Sequence, residues 1–179
     1  IRRQRQMCIR DSLRINMETK LNKKVPNFNV SVTGNSKLDS KDLLGKKVVI
    51  YFYPKDNTPG CTTEGENFRD LYPKFKKLNT EIYGVSRESI KSHEGFKEKF
   101  NFPFELISDP DESLCKLFDV IKEKSMYGKK YLGIERSTFL IDEKGKLIKE
   151  WRKVKVPGHA EEVLELSLIH ISEPTRPSR

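Results

Sequence analysis

The chain has 179 residues, enough for one ordinary domain with its own hydrophobic core. With 34% charged and 35% hydrophobic residues it has the balance of a soluble globular protein, and its main apolar run, Val48-Val49-Ile50-Tyr51-Phe52-Tyr53, is far short of the roughly 20 residues a transmembrane helix needs. The net charge of +9 points to nucleic acid only until it is located: the ends hold seven of the 35 basic and two of the 26 acidic side chains, which leaves residues 17–165 at +4.

Both ends resemble translated adaptor DNA. Residues 7–11 can be encoded by a stretch whose reverse complement encodes Ser167-Leu168-Ile169-His170. Residues 1–16 and 166–179 are therefore expected to be non-native tails around a domain running from Met17 to about Glu165. Without Cys8, only Cys61 and Cys115 remain. Two cysteines, no C-x-x-C pair and no Cys/His cluster with zinc spacing argue for a reducing cytoplasm and against a disulfide framework or a metal site.

In chain order, residues 27–32 alternate apolar and polar as a half-exposed strand, and Thr33-Gly34-Asn35-Ser36 supplies a turn. A short helical turn over 39–45 ends at Gly45. Residues 48–53 read as a strand buried on both faces, which implies a central parallel sheet. After a loop over 54–60, Phe68, Leu71, Tyr72, Phe75 and Leu78 recur at three and four, so Cys61 opens a helix. A strand near 81–85, a helix near 89–100, a strand near 104–107 and a helix near 112–118 follow. Residues 137–142 and 147–151 flank the turn Glu143-Lys144-Gly145-Lys146 as a β-hairpin, and a last helix begins near His159. Alternating strands and helices closed by a hairpin and helix predict a single α/β domain with a central mixed β-sheet flanked by helices.

A thiol reacts as its thiolate, and at a helix start the sulfur of Cys61 would face unpaired backbone N–H groups and the positive end of the helix dipole, both of which favour the anion. Pro59 and Gly60 set a tight turn there. Thr58 offers a hydroxyl to orient an incoming oxygen or bond the sulfur, and Pro54 shields the pocket.

The stretch Tyr51-Phe52-Tyr53-Pro54-Lys55-Asp56-Asn57-Thr58-Pro59-Gly60-Cys61-Thr62-Thr63-Glu64 resembles the active-site loop of peroxiredoxins, most closely the bacterioferritin comigratory protein (PrxQ) subfamily. The family pattern Pro-x-x-x-Thr-x-x-Cys falls on Pro54, Thr58 and Cys61. A second block, Gly133-Ile134-Glu135-Arg136-Ser137-Thr138-Phe139-Leu140-Ile141-Asp142, resembles the segment that carries the family's active-site arginine, here Arg136, and the likeness extends from about Val25 to Glu165. It implies a thioredoxin fold and a thiol peroxidase that reduces hydrogen peroxide or alkyl hydroperoxides without metal or organic cofactor. Cys61 would attack the peroxide and become a sulfenic acid, with Thr58 and Arg136 holding the two oxygens. The resemblance also leans toward a monomer.

The sequence departs from the subfamily in one respect. The position five residues after the peroxidatic cysteine, often a resolving cysteine, is Glu66, and a second family location near Lys97 has none. Cys115 is the only internal candidate, but Leu114, Leu117 and Phe118 read as an apolar face around a structural cysteine. The expectation is a one-cysteine mechanism recycled by thioredoxin, glutaredoxin or a low-molecular-weight thiol. The alternative is a peroxide-sensing switch or holdase without efficient turnover. A thiol-disulfide oxidoreductase would need the cysteine that Thr58-Pro59-Gly60-Cys61 lacks. His93 and His159 read as solvated or capping residues, and the dispersed lysine pairs as solvated surface, with no nucleic-acid or membrane partner.

Overall fold

The apolar run at the centre of the sequence forms the centre of the sheet. In the computed structural model, which describes residues 21–172, it is β3 (Lys47–Phe52), with every residue buried. The other strands of its sheet are β1 (Asn29–Val32), β2 (Ser36–Asp39), β4 (Thr80–Ser86), β5 (Glu105–Ser108), β8 (Ser137–Ile141) and β9 (Leu147–Trp151). Their order is β2-β1-β5-β4-β3-β8-β9. The pairs β3–β4 and β4–β5 are parallel, whereas β1–β5, β3–β8 and the flanking hairpins are antiparallel. The sheet is therefore mixed.

Successive strand residues point to opposite faces, so β3 feeds two cores. Val48, Ile50 and Phe52 join Val85, Ile107, Leu114, Cys115, Phe118 and Phe139 on one face. Val49 and Tyr51 join Cys61, Phe68, Phe75, Phe96 and Val163 on the other. Each fully buried aromatic or branched side chain contributes about 1.5–3 kcal/mol. The second face is covered by α1 (Pro59–Lys77), α2 (Ile90–Phe100) and α4 (His159–Ser172), and the first by a 3-10 turn (Ser40–Leu43) and the short α3 (Ser113–Leu117).

One element was not expected. Strands β6 (Ile121–Met126) and β7 (Lys129–Ile134) form a separate antiparallel hairpin. Its turn, Tyr127-Gly128, has positive φ at both residues (52° and 78°), the geometry that matches strand twist in a two-residue loop. The run Ile121-Lys122-Glu123-Lys124-Ser125 carries almost no apolar alternation, which hid it.

Helix α4 continues past Glu165. Leu166 packs on the core, and Ser167 is buried, its carbonyl accepting from Lys47 Nζ at 2.9 Å. Residues 1–16, with Cys8, and residues 173–179 of the expected tails lie outside the described residues. No described helix is long and apolar enough to cross a membrane.

Candidate active site

Helix α1 begins where β3 and its loop end. Its N-cap, Thr58, is extended (φ −91°, ψ 153°), and Pro59 takes the first helical turn, where a missing N–H costs nothing. The Thr58 carbonyl accepts from Thr62 N at 2.9 Å. Cys61 therefore falls in the first turn, which carries no acidic residue, and is 1% exposed.

Arg136 lies between β7 and β8, at the end of the sheet where β3 delivers Cys61. Its Nη2 donates to Cys61 Sγ at 3.4 Å and its Nη1 to Glu64 Oε1 at 2.5 Å. Burial works against the guanidinium charge, but Glu64 and then Cys61 outweigh it and push the Arg136 pKa up. Glu64, one helical turn after Cys61, is buried, and its Oε2 has no hydrogen-bond partner. Desolvation raises its carboxyl to about 7 although Arg136 opposes the shift. Gly60 leaves the space Arg136 uses: a Cβ there would lie 3.2 Å from Nη2.

The four residues expected from the motifs are thus gathered at one end of the sheet. Thr58 differs in detail, since its Oγ1 donates to Lys55 O at 2.9 Å and the hydrogen bond that reaches the sulfur comes from Arg136. Pro54 sits partly buried at the head of the same loop. Glu64 belongs to the quoted motif but carries no role in the sequence reading. The signal was its i+3 spacing from Cys61, which puts both on one helix face. The unforeseen hairpin lies beside the site as well: burial, followed by the Arg136 charge, lowers the pKa of Lys124 on β6.

Cys115 is remote from this chemistry. It is fully buried on the opposite face of the sheet from Cys61, and its N–H donates to Asp109 Oδ2 at 2.7 Å. Burial, followed by Asp109, pushes its thiol pKa far up, which disfavours the thiolate. Both described cysteines are free. Glu66 and Lys97, at the family's resolving positions, lie partly exposed on α1 and α2.

Two expectations are corrected. His93 is not solvated: it is 0% exposed, with Nδ1 2.7 Å from Asp56 Oδ2 and Nε2 2.9 Å from Ile107 O. Its polar neighbours Ser92 and Glu94 masked an inward-facing position shared with Phe96, three residues on. His159 does open α4, but it is buried, edge-on to Phe68 and Trp151, with Nε2 2.7 Å from Thr138 Oγ1. Burial, aided by the Arg136 charge, lowers its pKa to about 4. Among the described residues no group of three or more His, Cys, Asp or Glu is placed to hold a metal ion.

Residues 21–150 match the AhpC/TSA family. Peroxiredoxin Bcp of Xanthomonas campestris is 54% identical over 144 residues, which cover 80% of this chain and 90% of the relative. Peroxiredoxin Bcp of Bacillus subtilis is 49% identical over 149 residues, covering 83% and 95%. Among solved structures, Xanthomonas campestris bacterioferritin comigratory protein, described for its alkyl peroxide reduction activity, superposes with a TM-score of 0.78 at 53% identity, covering 80% of this chain and 92% of that one. Xylella fastidiosa PrxQ gives 0.82 at 46% identity, covering 86% and 98%. By sequence, by the thioredoxin fold of its structural neighbours and by the loop that presents Cys61, the chain belongs to the AhpC/TSA family, as a peroxiredoxin of the bacterioferritin comigratory protein (PrxQ) type.

Proposed function

We propose that this thiol peroxidase works through a single cysteine, Cys61, on hydrogen peroxide and alkyl hydroperoxides, and depends on an external thiol for turnover. The observation that carries the reading is the Arg136 guanidinium held 3.4 Å from Cys61 Sγ at a helix N-terminus. A fixed cation and unpaired backbone N–H groups favour the thiolate over the thiol.

The thiolate attacks the near peroxide oxygen. An S–O bond forms, the O–O bond breaks, and its electron pair leaves on the far oxygen as hydroxide or alkoxide, which takes up a proton. Thr58 donates its own hydroxyl hydrogen to Lys55 O, which leaves its oxygen lone pairs free to accept the peroxide O–H. Arg136 stabilises the charge that moves to the leaving oxygen, and Pro54 shields the bond-breaking zone from water. Cys61 is left as a sulfenic acid.

Cys115 on the far face of the sheet and the absence of cysteine at positions 66 and 97 support recycling from outside. A reductant thiol condenses with the sulfenic acid to give a mixed disulfide and water, and a second thiol releases Cys61. Thioredoxin, glutaredoxin and low-molecular-weight thiols are the candidate reductants.

The test is steady-state peroxide consumption with thioredoxin or glutathione. Multiple turnovers that Cys61→Ser abolishes are expected. Stoichiometric oxidation without turnover under every reductant would favour a peroxide sensor instead.

A further inference from the structure

Asp56 and His93 form a buried pair that has no part in the chemistry above and sits against the loop that does. We propose that His93 is a positioning residue for peroxide reduction: as an imidazolium paired with the Asp56 carboxylate, it holds the loop carrying Pro54 and Thr58 in register with Cys61. The proposal rests on the roles assigned above to Thr58 and Cys61.

The protonation state follows from who faces whom. His93 Nε2 lies 2.9 Å from the carbonyl of Ile107 on β5, which only accepts, so Nε2 carries a hydrogen. His93 Nδ1 lies 2.7 Å from Asp56 Oδ2. That carboxylate is already an acceptor twice over, from Tyr53 Oη at 2.6 Å and from Ser92 Oγ at 2.7 Å, so Nδ1 carries the second hydrogen. The side chains are 0% and 1% exposed, and a charge-assisted bond out of water is among the stronger ones. Burial opposes the Asp56 charge, yet the bonds from His93, Tyr53 and Ser92 hold its carboxyl below the usual range. Tyr53, which follows β3, also places its Oη 3.5 Å from His93 Nδ1. Among the described residues, no other charged side chain bonds the pair.

The pair is also the loop's anchor. Among the described residues, Asp56 makes every side-chain hydrogen bond that ties residues 54–58 to another element, because Thr58 Oγ1 bonds only Lys55 O within the loop. Asn57 follows in the left-handed region (φ 62°), and Thr58 then caps α1. A shift of Asp56 is thus passed directly to Thr58 and to the turn that holds Cys61. Misplacing a reacting group by about 1 Å costs on the order of 100-fold in rate.

Stopped-flow oxidation of Cys61, followed through Trp151, the chain's single tryptophan, reads the second-order rate constant for peroxide at neutral pH. Asp56→Ala and His93→Ala are each expected to lower that constant about tenfold or more, on the scale of such misplacement. Asp56→Asn, whose amide oxygen can still accept from Nδ1, should recover most of the rate that Asp56→Ala loses. Nitrogen-15 NMR of the histidine-labelled wild type should show both His93 nitrogens protonated at neutral pH, a readout that needs no variant to fold. A neutral His93 there, or wild-type rate constants in both alanine variants, overturns the proposal. Oxidation that survives Cys61→Ser would instead show that the assignment of Cys61 had failed.

Discussion

Arg136 Nη2 stands 3.4 Å from Cys61 Sγ although 75 positions separate the two residues, and its other arm is fixed by Glu64. A fork that spans a sulfur and a carboxylate needs two donors at a set angle, which an ammonium does not offer. Arg136→Lys is therefore expected to slow Cys61 oxidation by about 10- to 1,000-fold, the range for a lost transition-state donor, measured as the second-order rate constant for peroxide. An unchanged constant would remove Arg136 from the mechanism.

Cys115→Ala should separate structure from chemistry. The residue is fully buried beside Leu114 and Phe118, so the substitution is expected to cost about 1–2 kcal/mol in urea unfolding. Peroxide turnover per folded molecule should match the wild type. Mass spectrometry of peroxide-treated protein without reductant should find no dominant Cys61–Cys115 disulfide, and finding one would end the one-cysteine mechanism.

Glu64 and His159 should give opposite pH dependences to stability. The Glu64 pKa is raised from 4.5 to about 7 in the folded chain. Between those values the native state holds a proton the unfolded chain has released, so this contribution is full below about pH 4.5 and is lost as pH rises toward 7. His159 is lowered from 6.5 to about 4, so the unfolded chain holds the extra proton in that window, and this contribution is lost as pH falls from 6.5 toward 4. The two slopes oppose one another in the wild type. Glu64→Gln should leave stability rising with pH across the acid range, and His159→Gln should leave it falling, both read from urea midpoints at a series of pH values.

Gly65→Ala should destabilise the fold against the helix-propensity trend. Alanine is favoured over glycine inside a helix by about 1 kcal/mol, but a Cβ at position 65 of α1 would collide with the ring of Phe102. Overpacking of this kind costs about 1–3 kcal/mol, and a higher melting temperature for the variant would contradict the packing.

The sequence made the elements around the site legible because their signals are local. Continuous apolarity over 48–53 reads as a buried strand, the spacing of Phe68, Leu71, Tyr72, Phe75 and Leu78 reads as one helix face, and Pro59-Gly60-Cys61 reads as a helix start. The same sequence hid the β6–β7 hairpin, where lysines and a glutamate on exposed strands leave no alternation to detect. It also misread His93, since an inward position flanked by polar residues looks solvated until the partner across the core is known.

By itself, then, the sequence determined the βα unit that presents Cys61, the likeness to the peroxiredoxin loop, and the absence of cysteine at positions 66 and 97. Only the tertiary structure decided that Glu64 shares Arg136 with the sulfur across 72 residues, that Asp56 meets His93 across 37, and that the sheet separates Cys115 from Cys61. Periodicity tells which residues share a face of one element. Which faces meet is settled by how strands order in the sheet and helices pack upon it, and for a buried charge that meeting sets both its partner and its protonation.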